Sequence, residues 1–162
     1  MRITTSITTN LPGLRGYSRE VSSVIMPVVI KKWIIRYRAF VQKRFNTYSR
    51  GGGDWPALKI RKGSILRDTN TLFTVMAPTL QAPAGSINEP LSDGLGVEIG
   101  YSGGASHPGG ATIAEIVYWH HYGLGNNPVR QIIVLPDERT KDAMAQDMQK
   151  ATDEYNRKLN AI

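Results

Sequence analysis

Residues 18–50 read SREVSSVIMPVVIKKWIIRYRAFVQKRFNTYSR and decide the fold class. Apolar side chains recur in this stretch at spacings of three and four, which is typical of an amphipathic helix. Ser18 is a suitable N-cap, and the missing N–H of Pro27 predicts a kink or a fresh helix start. The glycines at 51–53 end the helix. The apolar positions are Val21, Val24, Ile25, Val28, Ile30, Ile34, Tyr37, Val41, Phe45 and Tyr48.

The same helix carries a one-sided charge. The chain of 162 residues has a formal net charge of +7, and residues 21–53 contain no acidic side chain. We expect a basic surface that faces DNA or an acidic partner, with phosphate contacts that carry no base specificity. The alternative is an ordinary solvated helix face. The basic residues of this predicted surface are Lys31, Lys32, Arg36, Arg38, Lys43, Arg44 and Arg50, followed by Lys59, Arg61 and Lys62.

Upstream of the helix, residues 1–17 are rich in Thr and Ser and contain Pro12-Gly13 and Gly16. Because these residues break helices and the segment has no helical period, we predict a flexible N-terminal arm. It is either a frayed terminus or an arm that becomes ordered on a neighbouring subunit. Residues 18–162 are then a single domain. Its length and hydrophobic content suit one core.

Downstream, helical and extended patterns alternate with long loops rich in glycine and proline, at 77–95 and 102–110. Asp54-Trp55-Pro56 starts a short element in which Asp54 is a plausible N-cap. The apolar run 72–76 fits either a helical turn or a strand.

Residues 97–101 alternate apolar and polar side chains, which predicts a half-buried strand. A helix is expected over 111–122, ended by Gly123, and a buried strand over 129–135. An amphipathic helix follows over 137–160. The sequence therefore predicts an α+β fold, in which a long N-terminal amphipathic helix and a C-terminal helix pack on a small β-sheet.

Known catalytic and ligand-binding patterns do not occur in the sequence. There is no cysteine, and the three histidines, His107, His120 and His121, lack metal-site spacing. No glycine cluster is followed by the Lys-Ser/Thr of a phosphate loop, and no serine lies in a nucleophile elbow. The longest apolar run, 24–30, is too short to span a bilayer. We therefore expect no enzyme activity, no cofactor, no metal and no membrane contact.

Five short motifs spread along residues 55–136 carry a family resemblance through their order and spacing. In chain order they are Trp55-Pro56-x-Leu58, Ile65-Leu66-Arg67-Asp68-Thr69-Asn70-x-Leu72, Val97-Glu98-Ile99-Gly100, Ile116-Val117-Tyr118-Trp119-His120-His121-Tyr122-Gly123 and Asn127-Pro128-Val129-Arg130-Gln131-Ile132-Ile133. Together they resemble the virion-morphogenesis and tail-completion proteins of tailed bacteriophages. Asn70 replaces the family's usual glycine, and Gln131-Ile132 replaces its proline-phenylalanine.

This resemblance implies a structural subunit of the head–tail junction that forms a ring, a hexamer or a dodecamer, between the head connector and the tail. It further implies location in the virion, assembly in the host cytoplasm, and contact with connector proteins, tail proteins and channel DNA. A tail-terminator or head-closure ring subunit is one alternative, and a non-specific DNA-binding protein is another. Trp55, Tyr122 and Arg130 are the candidate subunit-interface residues, whereas core packing is expected for Tyr118 and Trp119.

Overall fold

The computed structural model describes residues 1–8, 21–49, 54–56 and 70–161. Helices and a small sheet make up the fold, so the predicted α+β class is confirmed. The elements in chain order are β1 (Arg2–Thr8), a π-helical turn (Val21–Ile25), α1 (Met26–Tyr48), α2 (Thr71–Val75), β2 (Ser86–Pro90), β3 (Gly96–Ser102), α3 (Ile113–Tyr122) and α4 (Glu138–Leu159).

The sheet has the order β1-β3-β2, with both strand pairs antiparallel. One of its faces packs on α1 and α3, and α4 packs on α1. Val97, Ile99 and Tyr101 of the central strand are fully buried. Their alternation is the period-two pattern that predicted this strand, which is confirmed.

The flexible arm predicted for residues 1–17 is wrong for residues 2–8, which form β1 beside β3. Ile3 and Ile7 are each only 8% exposed and belong to the core. The Thr residues between them have β-branched side chains, which suit a strand. The partner strand lies more than ninety residues downstream, and the Thr4 hydroxyl donates to Glu98 across that separation. Residues 9–17 lie outside the described residues.

The effect predicted for Pro27 is confirmed, since α1 begins at Met26 with the proline in its first turn. Val21 and Ile25 of the preceding π-helical turn are buried with α1 in the core. Ser18, Arg50 and the glycines at 51–53 lie outside the described residues, so the predicted N-cap and helix stop stay predictions.

Two further elements differ from the sequence predictions. The loop predicted over 77–95 contains strand β2, whose short polar sequence gives no alternating pattern. The strand predicted over 129–135 is wrong, although Ile132 and Ile133 are buried. In that segment the Tyr37 hydroxyl donates to Val134 O, and the Trp55 Nε1–H donates to Gln131 O. Side chains thus take the place of a partner strand.

The remaining helices begin and end where their terminal residues predict. Thr112 and Glu115 form a capping box at the start of α3, and Gly123 ends this helix with φ +67°. Asp137 caps α4 by accepting from Thr140 N. The ambiguous run 72–76 is mostly helical, as α2. No helix among the described residues is long and apolar enough to cross a membrane.

Candidate functional site

Arg130 joins two segments that are far apart in the sequence. Arg130 is only 2% exposed. Nη2 donates to Pro56 O at 3.0 Å, Nη1 lies 3.3 Å from His120 Nδ1, and the backbone N–H donates to His120 O at 2.7 Å. Since a guanidinium only donates, His120 Nδ1 is the acceptor in this contact. We call Trp55, Pro56, His120 and Arg130 the Arg130 cluster.

Trp55 anchors the same cluster from the core side. It is 1% exposed, and its ring meets that of Phe45 edge-on at 5.2 Å between centroids. Its Nε1–H points to Gln131 O at 3.4 Å. Trp55 and Arg130 are therefore buried within their own chain and cannot contact a neighbouring subunit directly. The prediction that they are subunit-interface residues is wrong in this respect. Tyr122 is 59% exposed and remains available to a neighbour.

The predicted basic surface loses its central residue to the core. Arg38 is 0% exposed and donates to Val75 O, Ala77 O, Ser86 Oγ and Asn88 Oδ1. The prediction that Arg38 faces DNA or a partner is thus wrong. The position of a residue on a helix wheel gives only the direction of its side chain from the helix axis, and not what packs against it. The sequence pattern could not reveal that polar acceptors from β2 and the end of α2 would lie over it.

Two more of these arginines are engaged within the chain. Arg36 forms a two-point ion pair with Asp147 of α4, whose carboxylate is 5% exposed. The Arg36 pKa is raised, mainly by this hydrogen-bonded contact. Arg44 donates to Gln131 O, approaches Asp54 at 3.5 Å and lies over the Tyr48 ring. Both therefore hold elements together within the chain.

The lysines keep a surface position. Lys31 and Lys43 are exposed and Lys32 is partly exposed. The predicted basic surface is thus reduced, within the described residues, to these lysines and the exposed part of Arg36. The other predicted members, Arg50, Lys59, Arg61 and Lys62, lie outside the described residues.

Large apolar side chains are exposed at several places, and two groups of them contain three or more residues. The first, which we call the apolar rim, follows the end of α3 and the segment after it. The second, the α1 stripe, consists of Val24 in the π-helical turn and Val28 and Ile35 in α1, which are 49%, 48% and 38% exposed. Large exposed apolar side chains are candidates for an interaction surface. The apolar rim comprises Trp119 (39% exposed), Tyr122 (59%), Leu124 (42%), Val129 (51%) and Leu135 (68%).

The sequence predictions for some of these residues differ from the structure. Core packing is predicted for Tyr118 and Trp119, but Trp119 is exposed and Tyr118 is only partly buried. Val24 and Val28 were placed on the apolar stripe of the helix. Val28 and Ile35 lie about 20° apart on an α-helical wheel, away from Trp33 and Arg36, which contact α4. The sequence contained one indication of this exposure, because the apolar stripe of the helix is wider than a single partner helix can cover.

His121 provides a pH-dependent contribution to stability. Burial lowers the pKa of its imidazole from the usual 6.5, and Nδ1 is buried without a hydrogen-bond partner. The folded chain therefore binds this proton less tightly than the unfolded chain. The stabilisation is complete above the unfolded pKa and is lost as the pH falls through it.

We expect the melting temperature to fall as the pH is lowered from about 8 to about 5. The fall should be smaller in His121→Gln, measured by circular dichroism at matched ionic strength. His107→Gln, in a surface loop, is the control and should retain the wild-type pH dependence. Equal pH dependence in His121→Gln and the wild type would contradict this assignment.

No group of three or more His, Cys, Asp or Glu side chains suited to a metal ion occurs in the part of the chain that the structure describes. Comparison of the chain with protein-family models, with curated proteins and with solved structures finds no match.

Proposed function

We propose that this chain is a structural subunit of the head–tail junction of a tailed bacteriophage, a neck or tail-completion protein. In this role, copies assemble into a ring between the head connector and the tail. The observation that carries the proposal is the Arg130 cluster. It brings together Trp55-Pro56, His120 and Arg130, which belong to three separate motifs of the family resemblance. Their contact supports reading the motifs as one pattern.

The exposed apolar surfaces support assembly into a ring. A closed ring of identical subunits needs a heterologous interface, in which two different surfaces of the same chain meet. The apolar rim and the α1 stripe are two such surfaces, on separate elements. Aromatic residues such as Trp119 and Tyr122 are enriched in the cores of protein interfaces. We propose that the rim of one copy packs on the stripe of the next.

Lys31 and Lys32 lie between Val28 and Ile35 along α1, and Lys43 lies two turns further on. Cations bordering an apolar stripe suit an interface whose edge meets an acidic neighbour or the DNA phosphates. The contribution of Lys32 and Lys43 should weaken as salt is added, because exposed charges are screened.

The test is the mass of the purified chain in solution, by light scattering and native mass spectrometry. We expect a discrete multiple of 17.9 kDa, and capture of the protein at the head-proximal end of tails from the same particle. Val28→Ser and Val129→Ser, one in each surface, should each reduce the assembled fraction by about tenfold. Leu159→Ser is the matched control, because Leu159 is similarly exposed, at 51%, but lies in neither surface.

A chain that stays monomeric at all concentrations, does not bind tails, and retards DNA with a steep salt dependence would overturn the proposal. That result would favour the non-specific DNA-binding alternative. Assembly that Leu159→Ser disrupts as strongly as Val28→Ser would leave the ring but refute the proposed interface.

A further inference from the structure

β1 is an edge strand, and the direction of its backbone groups follows from the hydrogen bonds of β3. The Ser102 N–H donates to Gly85 O at 2.8 Å, so the backbone of Ser102 points towards β2. Backbone groups alternate between the two sides of a strand. Since Arg2 pairs with Ser102, the backbone groups of Arg2 point away from β3. The same holds for Thr4 and Ser6.

The outer side of β1 is therefore open. Within the described residues, no backbone hydrogen bond joins this side to another segment. The strand contains no proline and no lysine, the residues that commonly block an edge. Unpaired N–H and C=O groups in a row form a template for an added strand.

The opposite edge of the sheet is blocked. The outward positions of β2 are Ser86, Asn88 and Pro90, by the same alternation. The Ser86 N–H already donates to Pro83 O, and proline has no N–H. The two edges of this sheet thus differ, and among the described strands only β1 has an edge that can accept a complete strand.

A cleft of about 410 Å³ adjoins the open edge. Residues 2–5 of β1 form one wall, α3 contributes Tyr118, His121 and Tyr122, and residues 133–135 form the far wall. The Tyr118 and Tyr122 rings lie 4.8 Å apart, and Leu135 is 68% exposed. An unpaired strand edge and two aromatic side chains of α3 therefore meet in one cleft.

We propose that this cleft binds an extended peptide segment of a partner protein, which adds to β1 as a fourth strand of the sheet. The main-chain groups of the segment would pair with those of Arg2, Thr4 and Ser6. Backbone pairing supplies affinity in this mode of recognition, and alternate side chains supply specificity. The assignment rests on β1 and the cleft. Tyr122 and Leu135 also belong to the apolar rim, so a bound segment and a neighbouring copy would compete for these two residues.

The chemistry of the walls defines the segment. Added side chains on the core side of the sheet meet Tyr118, Tyr122 and Leu135, so these positions take apolar residues. Those on the outer side lie beside Arg2 and Thr4 and take polar residues. The Arg2 guanidinium pairs with Glu89 of β2 at 2.6 Å, and the Thr4 hydroxyl donates to Glu98 on the same face. The charges near the outer positions therefore favour no particular sign.

The far wall selects between a peptide and a folded domain. Residues 133–135 line the cleft together with residues 2–5 of β1, so an occupant contacts two chain segments of the same protein. A single extended strand meets this condition, whereas the edge of a folded neighbour brings its own sheet. A second copy of this chain pairing through its own β1 is therefore disfavoured.

The experiment is selection of peptides from a random nine-residue display library on the immobilised full chain, followed by titration of the synthetic peptides. The key variant is Thr4→Pro, which removes one outward N–H and the hydroxyl that donates to Glu98, but no backbone hydrogen bond to β3. Thr4→Val is the matched control, because it loses the same hydroxyl but keeps the N–H. Leu135→Ser tests the far wall at an exposed position, where misfolding is not a concern.

We expect enriched peptides that alternate apolar and polar residues and whose binding shifts the amide resonances of Thr4 and Ser6. Affinity should fall about tenfold or more in Thr4→Pro and several-fold in Leu135→Ser, and stay near wild type in Thr4→Val. Failure to enrich any peptide, or equal affinity for Thr4→Pro and Thr4→Val, would overturn the proposal. Self-association lost in Thr4→Pro would also overturn it, since a second copy would then occupy the edge.

Discussion

Substitution of Arg38 by methionine is expected to lower the free energy of unfolding by about 3–5 kcal/mol. The residue is fully buried and donates to four acceptors, two of them backbone carbonyls. Methionine fills a similar volume but leaves these acceptors without their donor, and each buried unsatisfied group costs about 1–3 kcal/mol. Urea denaturation, with linear extrapolation to water, measures the change.

Lys31→Met is the control for Arg38→Met, because it removes a long cation from the exposed side of the same helix. It should change stability by no more than about 0.5 kcal/mol. Arg38→Lys should fall between the two, since it keeps the charge but lacks the forked donors. If Arg38→Met were no more destabilising than Lys31→Met, the hydrogen bonds of Arg38 would not hold β2 against α1.

Burial lowers the pKa of Arg38, and no carboxylate is among its hydrogen-bond partners. The cation is thus stabilised by neutral dipoles alone. Its carbonyl and side-chain acceptors lie in β2 and at the end of α2, so the residue fixes the far edge of the sheet to α1. We infer that its role is structural and that the chain keeps β2 in place through it.

The second large effect is expected for Trp55→Ala, which should destabilise the chain by about 3–5 kcal/mol. Trp55 is fully buried, with the Phe45 ring edge-on at 5.2 Å and the Tyr48 ring at 5.9 Å. Removing the indole leaves a cavity beside Phe45 and Tyr48 and deletes the hydrogen bond to Gln131 O. Thermal and urea unfolding measure the loss.

Trp119→Ala is the matched control, because the same side chain is removed from a position that is 39% exposed. It should cost about 1–2 kcal/mol, as less apolar area leaves the interior. Under the proposed function, Trp119→Ala is the variant that impairs assembly directly, although it is the less destabilising of the two. Trp119→Ala should impair ring formation at temperatures where it is folded. Equal stability losses for the two variants would contradict the burial of Trp55.

The helices of this protein could be read from residue spacing and terminal residues. The capping by Asp137 and the stop at Gly123 depend on contacts within three or four positions along the chain. The same is true of the fresh helix start near Pro27. Such contacts form locally, so the sequence pattern carries them almost completely.

The sheet could be read only in part. β3 shows its alternation because one face is buried, whereas β1 and β2 are short, polar edge strands with no clear period. Their positions depend on pairing with a strand far away in the chain. The segment 129–135 has the composition of a buried strand but finds side-chain donors in place of a ladder partner.

The candidate site, like the fold, could be predicted from the sequence only where local residue types and spacing determine it. Residue types and their spacing determined the charge of α1, the aromatic content of α3 and the motifs that meet in the Arg130 cluster. Only the tertiary structure decided that Arg38, Trp55 and Arg130 are internal while Tyr122 is exposed. Charge and hydrophobicity are properties of single residues, but exposure depends on which distant segments pack over them. The sequence alone therefore determined the helices and their amphipathic faces, and long-range packing decided which side chains a partner can reach.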